Sequence, residues 1–238
     1  MANDFFYFKK FKIKQDKCSM KVGTDSVLLG AWVEPKQSSK ILDIGTGTGI
    51  IALMLAQKSN AKITAVEINK ESAEQARENI NKSNYFNSID IKHISIQNYS
   101  SLCEDKFDII ITNPPYFINA YKSADKNRVI ARHTDSLSFN DLINCAKKLL
   151  CPKGKFYLIL PLNEAYTFKK MAEVSGFYLT KLLRIKTKLE SQEEKRHLMQ
   201  FEFEKKYVKE STLIIEEKTS RNYTNEYKNF TKDYYLKF

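Results

Sequence analysis

Glycine and proline are scarce in this chain: 7 and 5 residues among 238. No Pro/Gly/Ser-rich linker, low-complexity tract or internal repeat occurs, so the sequence is read as one continuous globular unit. Cys18, Cys103, Cys145 and Cys151 form no CxxC pair, and His93, His133 and His197 stand apart without ligand spacing. That pattern argues against a zinc site and against a disulfide framework. It fits free thiols in a reducing cytoplasm, with no metal expected. Long apolar runs are also missing. The longest, around "IIALMLA", is far too short to span a bilayer, so no membrane attachment is expected. The opening "MANDFFYFKKFKIK" interleaves lysine with aromatics, where a signal peptide needs an unbroken apolar stretch. The one excess is positive charge, a formal +11 with a pI near 9.3. A polyanionic partner such as nucleic acid would suit that charge. A chain rich in Lys, Asn and Ile throughout also follows from AT-rich coding, so charge supports the reading without carrying it.

From Lys40 onward apolar strands alternate with helix-prone segments. "KILDIG" predicts a strand and "TGTGIIALMLAQKS" a helix opening on a glycine-rich turn; "AKITAVEIN" and "KESAEQARENINKS" repeat the pair. "IDIKHISI" predicts a third strand. "FDIIITN" is a fourth, apolar throughout and therefore buried on both faces. Ser138 is placed to cap the helix "FNDLINCAKKLL", which "PKG" ends; "KFYLILP", "NEAYTFKKMAEVSG", "FYLTKLLRIKTK" and "RHLMQFEFEKK" follow as strand, helix and two strands. The pattern predicts an α/β fold with a doubly wound, mostly parallel sheet. Residues 1–33 lie outside it and hold "VGTDSVLLGAW", where Thr24 or Asp25 would cap a short helix. At the other end Tyr223, Tyr227, Phe230 and Tyr234 fall on one helical face, which is expected to dock on the core.

Two stretches carry candidate chemistry. In "LDIGTGTGI", Asp43 ends a strand, and Gly45, Gly47 and Gly49 let the backbone turn tightly and approach a ligand. Dinucleotide sites space glycines as GxGxxG to seat a pyrophosphate. Here the spacing is GxGxG, and the Asp43 carboxylate would repel a pyrophosphate but bind an ammonium group. The ligand implied is a nucleoside bearing an amino acid. In "VEIN", Glu67 ends the next strand, where an acid accepts hydrogen bonds from both ribose hydroxyls, and Ile68 is placed to pack on an adenine face. Without the loop upstream, Glu67 would read as a solvated strand end. The second stretch, "FDIIITNPPYF", stops a buried strand on two prolines, which fixes Asn113 and Tyr116 stiffly at its end.

Together these residues resemble the class I S-adenosylmethionine-dependent methyltransferases. That resemblance implies a Rossmann-like, seven-stranded sheet with an antiparallel C-terminal hairpin strand. It implies S-adenosylmethionine as cofactor, held through Asp43, Gly45 and Gly47 at the methionine end and Glu67 at the ribose. It sets Gln97, in "ISIQNY", against the adenine ring. "NPPY" resembles the signature of amino-methyltransferases, which act on planar exocyclic NH₂ groups whose lone pair is delocalised. Asn113 and the Pro114 carbonyl would accept the amine protons and aim the lone pair, and Tyr116 would offer a flat face to an extruded base. The other reading of NPPY is a proline-terminated strand with a core tyrosine.

Further segments, "FKIKQDKCSMKVGTDSVLLGAW", "ARHTDSLSF" and "YTNEY...DYYL" among them, extend the likeness over nearly the whole chain. They look like the bacterial family that methylates N6 of adenine-37 in valine tRNA. This implies a tRNA anticodon stem-loop as partner and an N-terminal extension, residues 1–33, beside the cofactor site of a methyltransferase unit, residues 34–238. Thr24 would lie near the methionine carboxylate, and Arg128, Arg132 and His133 near substrate phosphates. For Arg132 and His133, a structural cap on the following helix is the alternative. The family's second strand often ends Glu-Ile-Asp; here Asn69 replaces the Asp. A monomer is expected. Guanine-N2 methylation of rRNA and methylation of a protein glutamine amide share the NPPY chemistry and stay open as alternatives. The glutamine enzymes usually add an N-terminal helical domain for which this chain has no room. Enzymes acting on DNA adenine usually carry a target-recognition domain with no counterpart here. A non-catalytic binding module would have no need of NPPY.

Overall fold

Ile109, Ile110 and Ile111 lie side by side in one strand, yet belong to two different cores: Ile109 and Ile111 pack into one apolar cluster and Ile110 into the other. Alternation along the pleat requires this when helices cover both faces of a sheet. The computed structural model describes residues 4–18, 20–37, 39–114, 137–191 and 193–238. Within them a short hairpin, β1 (Phe5–Tyr7) and β2 (Lys12–Lys14), precedes helix α1 (Thr24–Trp32). The main sheet then follows: β3 (Lys40–Ile44), α2 (Ile50–Lys58), β4 (Lys62–Glu67), α3 (Lys70–Asn81), β5 (Ile89–His93), α4 (Ile96–Leu102) and β6 (Phe107–Thr112). After the undescribed stretch come α5 (Phe139–Leu149), β7 (Leu150–Pro161), α6 (Leu162–Val174), β8 (Tyr178–Lys188), β9 (Glu194–Glu202), β10 (Lys209–Glu216) and α7 (Asn225–Thr231).

The strand order is β10-β8-β9-β7-β6-β3-β4-β5, and β9 alone among the described strands of that sheet runs antiparallel to its neighbours. Helices α1, α2 and α3 pack on one face with α7, and α4, α5 and α6 on the other. The chain steps from β3 outward to β4 and β5, then returns to β6 on the other side of β3. Strand order therefore reverses between β3 and β6. In open α/β sheets a ligand crevice opens at that reversal, outside the carboxyl ends of the strands.

Several local expectations need correction. The sheet has eight strands rather than seven: β10, parallel to β8, adds an edge strand whose first four residues are exposed. Charged, exposed residues are how edge strands avoid unwanted pairing, and they conceal the strand from a hydrophobic pattern. The third strand ends at His93; Ser95 Oγ accepts the Asn98 amide and starts α4 instead. Neither Thr24 nor Asp25 caps α1. Gly23 holds the N-cap position, with no side-chain cap, and Thr24 and Asp25 are the first helical residues. Strand β7 begins at Leu150, directly after α5 and ahead of the expected Lys155. The C-terminal helix is confined to Asn225–Thr231, so Tyr223 and Tyr234 lie outside it, but these aromatics do dock: Tyr227 and Tyr234 are buried, with Tyr223 and Phe230 packed against the same core. Ser138 caps α5 as expected, accepting the Asp141 amide.

Candidate active site

The glycine-rich loop leaves β3 at the point of reversal. Gly45, Gly47 and Gly49 all take positive φ, at 69°, 56° and 81°, a region where a Cβ is strained. A Cβ built on Gly45 or Gly47 would meet nothing within 4 Å, whereas one on Gly49 would touch Ile80 and Ala76. The first two glycines thus border open space, and the third lets α2 pack on α3.

Asp43 lies beneath the loop, fully buried. Its Oδ2 accepts the Thr46 hydroxyl at 2.6 Å, while Oδ1 has no partner. Burial pushes its carboxyl up to about 7, with the Glu67 charge adding to the push and the Thr46 hydroxyl pulling the other way. Glu67, at the end of β4, is also buried. Its Oε2 accepts the Gly47 amide and its Oε1 the Asn69 amide, each at 2.9 Å. These two bonds fix the loop to the strand end and leave each oxygen a second lone pair. Asn69 caps α3 by accepting the Ser72 amide at 2.8 Å. Asn is as good a cap as Asp, so Asn69 fulfils the structural part of the Asp role.

Asn113 and Pro114 follow directly from β6, across the reversal from the glycine loop, where Thr112 Oγ1 ties the two strand ends together by donating to the Ile44 carbonyl at 2.9 Å. The Asn113 amide Nδ2 donates to Ser26 Oγ at 3.0 Å, while its Oδ1 is buried and unpartnered. A buried amide oxygen without a donor costs about 1–3 kcal/mol. Such atoms in a crevice mark where a donor from a ligand belongs. One residue before Ser26, Asp25 accepts from Arg196 of β9 at 2.8 Å, so α1 is held from two sides.

The structure brings Asp43, Gly45, Gly47, Glu67, Asn113 and Pro114 to one edge of the sheet, on either side of the strand reversal. Ile68 is more than half exposed beside Glu67, and Gln97 is exposed on the first turn of α4, at the end of β5. Thr24 is exposed at the start of α1, but it lines a separate cavity of about 1000 Å³ that includes neither the glycine loop nor Asn113. Tyr116, Arg128, Arg132 and His133 lie outside the described residues. Among the described residues no cluster of His, Cys, Asp or Glu could hold a metal, and no helix is long and apolar enough to cross a membrane.

A cofactor with an ammonium group and a ribose fits these residues. Asp43 Oδ1 is an orphaned acceptor, Gly45 and Gly47 border open space, and Glu67 keeps acceptor capacity. The family model for the methyltransferase small domain matches residues 18–181. A tRNA1(Val) (adenine(37)-N6)-methyltransferase of Trichodesmium erythraeum is 45% identical over 241 residues, covering 100% of both chains. The Bacteroides fragilis protein of that name is 42% identical over 238 residues, again covering 100% of both. The chain belongs to this family. Among solved structures, a predicted O-methyltransferase of Agrobacterium tumefaciens matches with TM-score 0.69 at 20% identity, over 88% of this chain and 96% of that one. A ribosomal protein L11 methylase of Lactobacillus delbrueckii matches with TM-score 0.52 at 16% identity, over 74% and 75%. These neighbours share the fold of this chain, and S-adenosylmethionine is the cofactor that goes with the methyltransferase family to which it belongs.

Sequence reasoning missed Ser26, Thr46 and Thr112 as members of the site. Thr46 was visible inside the glycine loop, three residues from the Asp43 it bonds. Ser26 gave no local signal, because its partner is 87 residues away.

Proposed function

We infer that this protein transfers a methyl group from S-adenosylmethionine to the exocyclic N6 amine of an adenine in tRNA, and that the target is adenine-37, beside the anticodon of tRNA(Val). The substrate follows from the family. The reaction rests on one observation above the others: the buried, unpartnered Asn113 Oδ1 beside Pro114, across the strand reversal from Asp43 and Glu67.

Bound in the crevice, S-adenosylmethionine supplies an electrophilic methyl group. Asp43 and the Gly45–Gly47 backbone hold its amino-acid end, whereas Thr24, which lines the separate cavity, takes no part. Glu67 takes the ribose hydroxyls, and Ile68 and Gln97 border the adenine. Asn113 Oδ1 and the Pro114 carbonyl accept hydrogen bonds from the two N–H groups of the substrate amine, one of whose protons passes to solvent once the nitrogen carries the methyl group. That hydrogen bonding draws the lone pair out of the ring and directs it into the crevice. Because Ser26 anchors the Asn113 amide and the proline stiffens the turn, the acceptors are already in place before substrate arrives, which is the economy of a preorganised site. Tyr116 stacks on the extruded base; Arg128, Arg132 and His133 meet its neighbouring phosphates. Residues 1–33 form an extension that supports the crevice, residues 34–238 the methyltransferase unit, and the enzyme works as a monomer in the cytoplasm, where its free thiols stay reduced.

The test is in vitro methylation of unmodified tRNA followed by nucleoside mass spectrometry and nuclease mapping. N6-methyladenosine just 3′ of the anticodon is the expected product. Label confined to rRNA guanine or to a glutamine amide would overturn the substrate and leave the amine chemistry standing.

A further inference from the structure

The cavity of about 1000 Å³ that takes in Thr24 has no part in the reaction described so far. Its floor is made by the strand ends that continue the sheet beyond Asn113: the start of antiparallel β9 at Lys195, the end of β8 at Thr187 and the end of β10 at Glu216. Cofactor-side residues occupy the carboxyl edge at β3, β4 and β5, Asn113 sits at β6, and the cavity occupies the same edge at β9, β8 and β10. With strands spaced about 4.8 Å apart, β10 lies roughly 19 Å from β6 along that edge. The cavity is therefore on the substrate side of Asn113, within reach of a short single-stranded loop.

Its chemistry is cationic and aromatic. Arg221, Lys228 and Lys237 line it, and among the described residues none of the three is in an ion pair. Two side-chain carboxylates share the walls: Asp25 is paired with Arg196 at 2.8 Å, and Glu216 accepts the backbone amide of Arg221 at 2.9 Å. Tyr7, on the wall formed by the N-terminal hairpin, is 55% exposed. Arg221 also stands out in its backbone. It is the one non-glycine residue with positive φ (68°) among the described residues. Glycine or asparagine would hold that turn more cheaply, and strain of this kind collects where a side chain is needed in place.

We propose that this cavity is a second nucleotide-binding site, which seats a nucleotide flanking the target adenine: its base on Tyr7 and its phosphates against Arg221, Lys228 and Lys237. The proposal rests on the tRNA reading above. It gives a compact enzyme a way to fix the loop on either side of the extruded base, using stacking and charge without base-edge readout.

The experiment measures binding of an unmodified tRNA(Val) transcript by fluorescence anisotropy at several salt concentrations, alongside methyl transfer. The protein is the full chain, with Arg221→Gly, Lys228→Ala and Lys237→Ala combined and with Tyr7→Ala and Tyr7→Phe singly. Removing three phosphate contacts should lower the slope of log K against log salt by about two and weaken binding at least about tenfold at 0.1 M salt. Tyr7→Ala should weaken it by about tenfold, and Tyr7→Phe hardly at all. Cofactor affinity and turnover at saturating RNA stay at wild-type values. Arg221→Gly relieves the strained φ, and the Tm of the triple variant, measured alongside, shows that it is folded at the assay temperature. A triple variant with wild-type affinity and salt slope overturns the site while the tRNA reading stands. A wild-type enzyme that leaves the transcript unmethylated overturns both.

Discussion

At the scale of single residues, the site depends on which way two polar groups point. Asn113 has one amide group with two ends, and Ser26 Oγ takes the donor end at 3.0 Å, which leaves the acceptor end unpartnered and, in the proposed function, open to the substrate amine. Asn113→Ala should therefore lower turnover by roughly 10²-fold or more, with cofactor affinity little changed. Ser26→Ala keeps Asn113 but frees its amide to turn over. Turnover should fall about tenfold at constant cofactor Kd and Tm, and Ser26→Thr should restore it. Single-turnover rates decide this; an indifferent Ser26→Ala would mean that packing alone fixes the amide. Asp43 makes a different prediction. Its carboxyl titrates near 7 when folded and at about 3.8 when exposed. Below the lower value both states are protonated and burial costs nothing extra. Between the two values the folded state holds a proton that the unfolded state has lost, so stability falls as pH rises and levels off above about 7. Tm of the ligand-free protein should drop by several degrees between pH 5 and 8 on this account, and Asp43→Asn should flatten that profile. Cofactor affinity should rise over the same interval, because an ionised Asp43 pairs with the ammonium group. Opposite slopes for Tm and affinity identify Asp43; parallel slopes would exclude it.

At the scale of elements, what was legible in the sequence was whatever repeats locally. The strand β3, its glycine loop and α2, then β4 and its terminal Glu67, and β6 with its abrupt proline stop all announce themselves within about ten residues. The Ser138 cap and the doubly buried "IIIT" do so too. What stayed hidden depends on contacts distant in sequence. The eighth strand is too charged at its start to show a pattern. The switch from β5 to α4 turns on one serine. The part of α1 in the site is visible only once residue 26 is seen beside residue 113. Gly30 belongs to this hidden class. It sits in the middle of α1, where glycine ordinarily weakens a helix, but a Cβ there would lie 2.7 Å from Met54 Sδ on α2, in a fully buried contact. Close approach of α1 to α2 requires it. Gly30→Ala should cost about 1–3 kcal/mol by overpacking, in spite of its gain in helix propensity. It should also lower turnover, because α1 carries Ser26. Differential scanning calorimetry and a rate assay check both; a raised Tm would show that Met54 simply moves aside.

At the scale of the whole molecule, the two ends of the chain hold each other and, through α1, the site. Phe8 bridges to Tyr235, the Lys9 amide donates to the Tyr234 carbonyl at 2.8 Å, and the Lys9 ammonium reaches the Lys232 carbonyl at 2.6 Å. Phe8 and Tyr235 stack with ring centroids 6.1 Å apart. Tyr234 is buried in the same core that receives α1 and α2, and α7 packs on α1. The N-terminal hairpin and the C-terminal tail thus close over the face of the sheet on which α1 lies. Burial of Tyr234 alone is worth about 2 kcal/mol, a sizeable part of the roughly 5–15 kcal/mol that keeps a domain folded. Removing residues 232–238 should lower Tm by several degrees and speed amide exchange in the hairpin and α1 before it does so in β3, β4 and β6. Cofactor affinity, which the proposed function assigns to the glycine loop and Glu67 at the far side of the strand reversal, should change less than turnover, to which it assigns Ser26. Hydrogen exchange followed by mass spectrometry, with cofactor binding measured on the same truncated protein, separates the two. If exchange rose evenly over all elements, or cofactor affinity fell as far as turnover, the tail would be a general brace for the fold and not a support for α1.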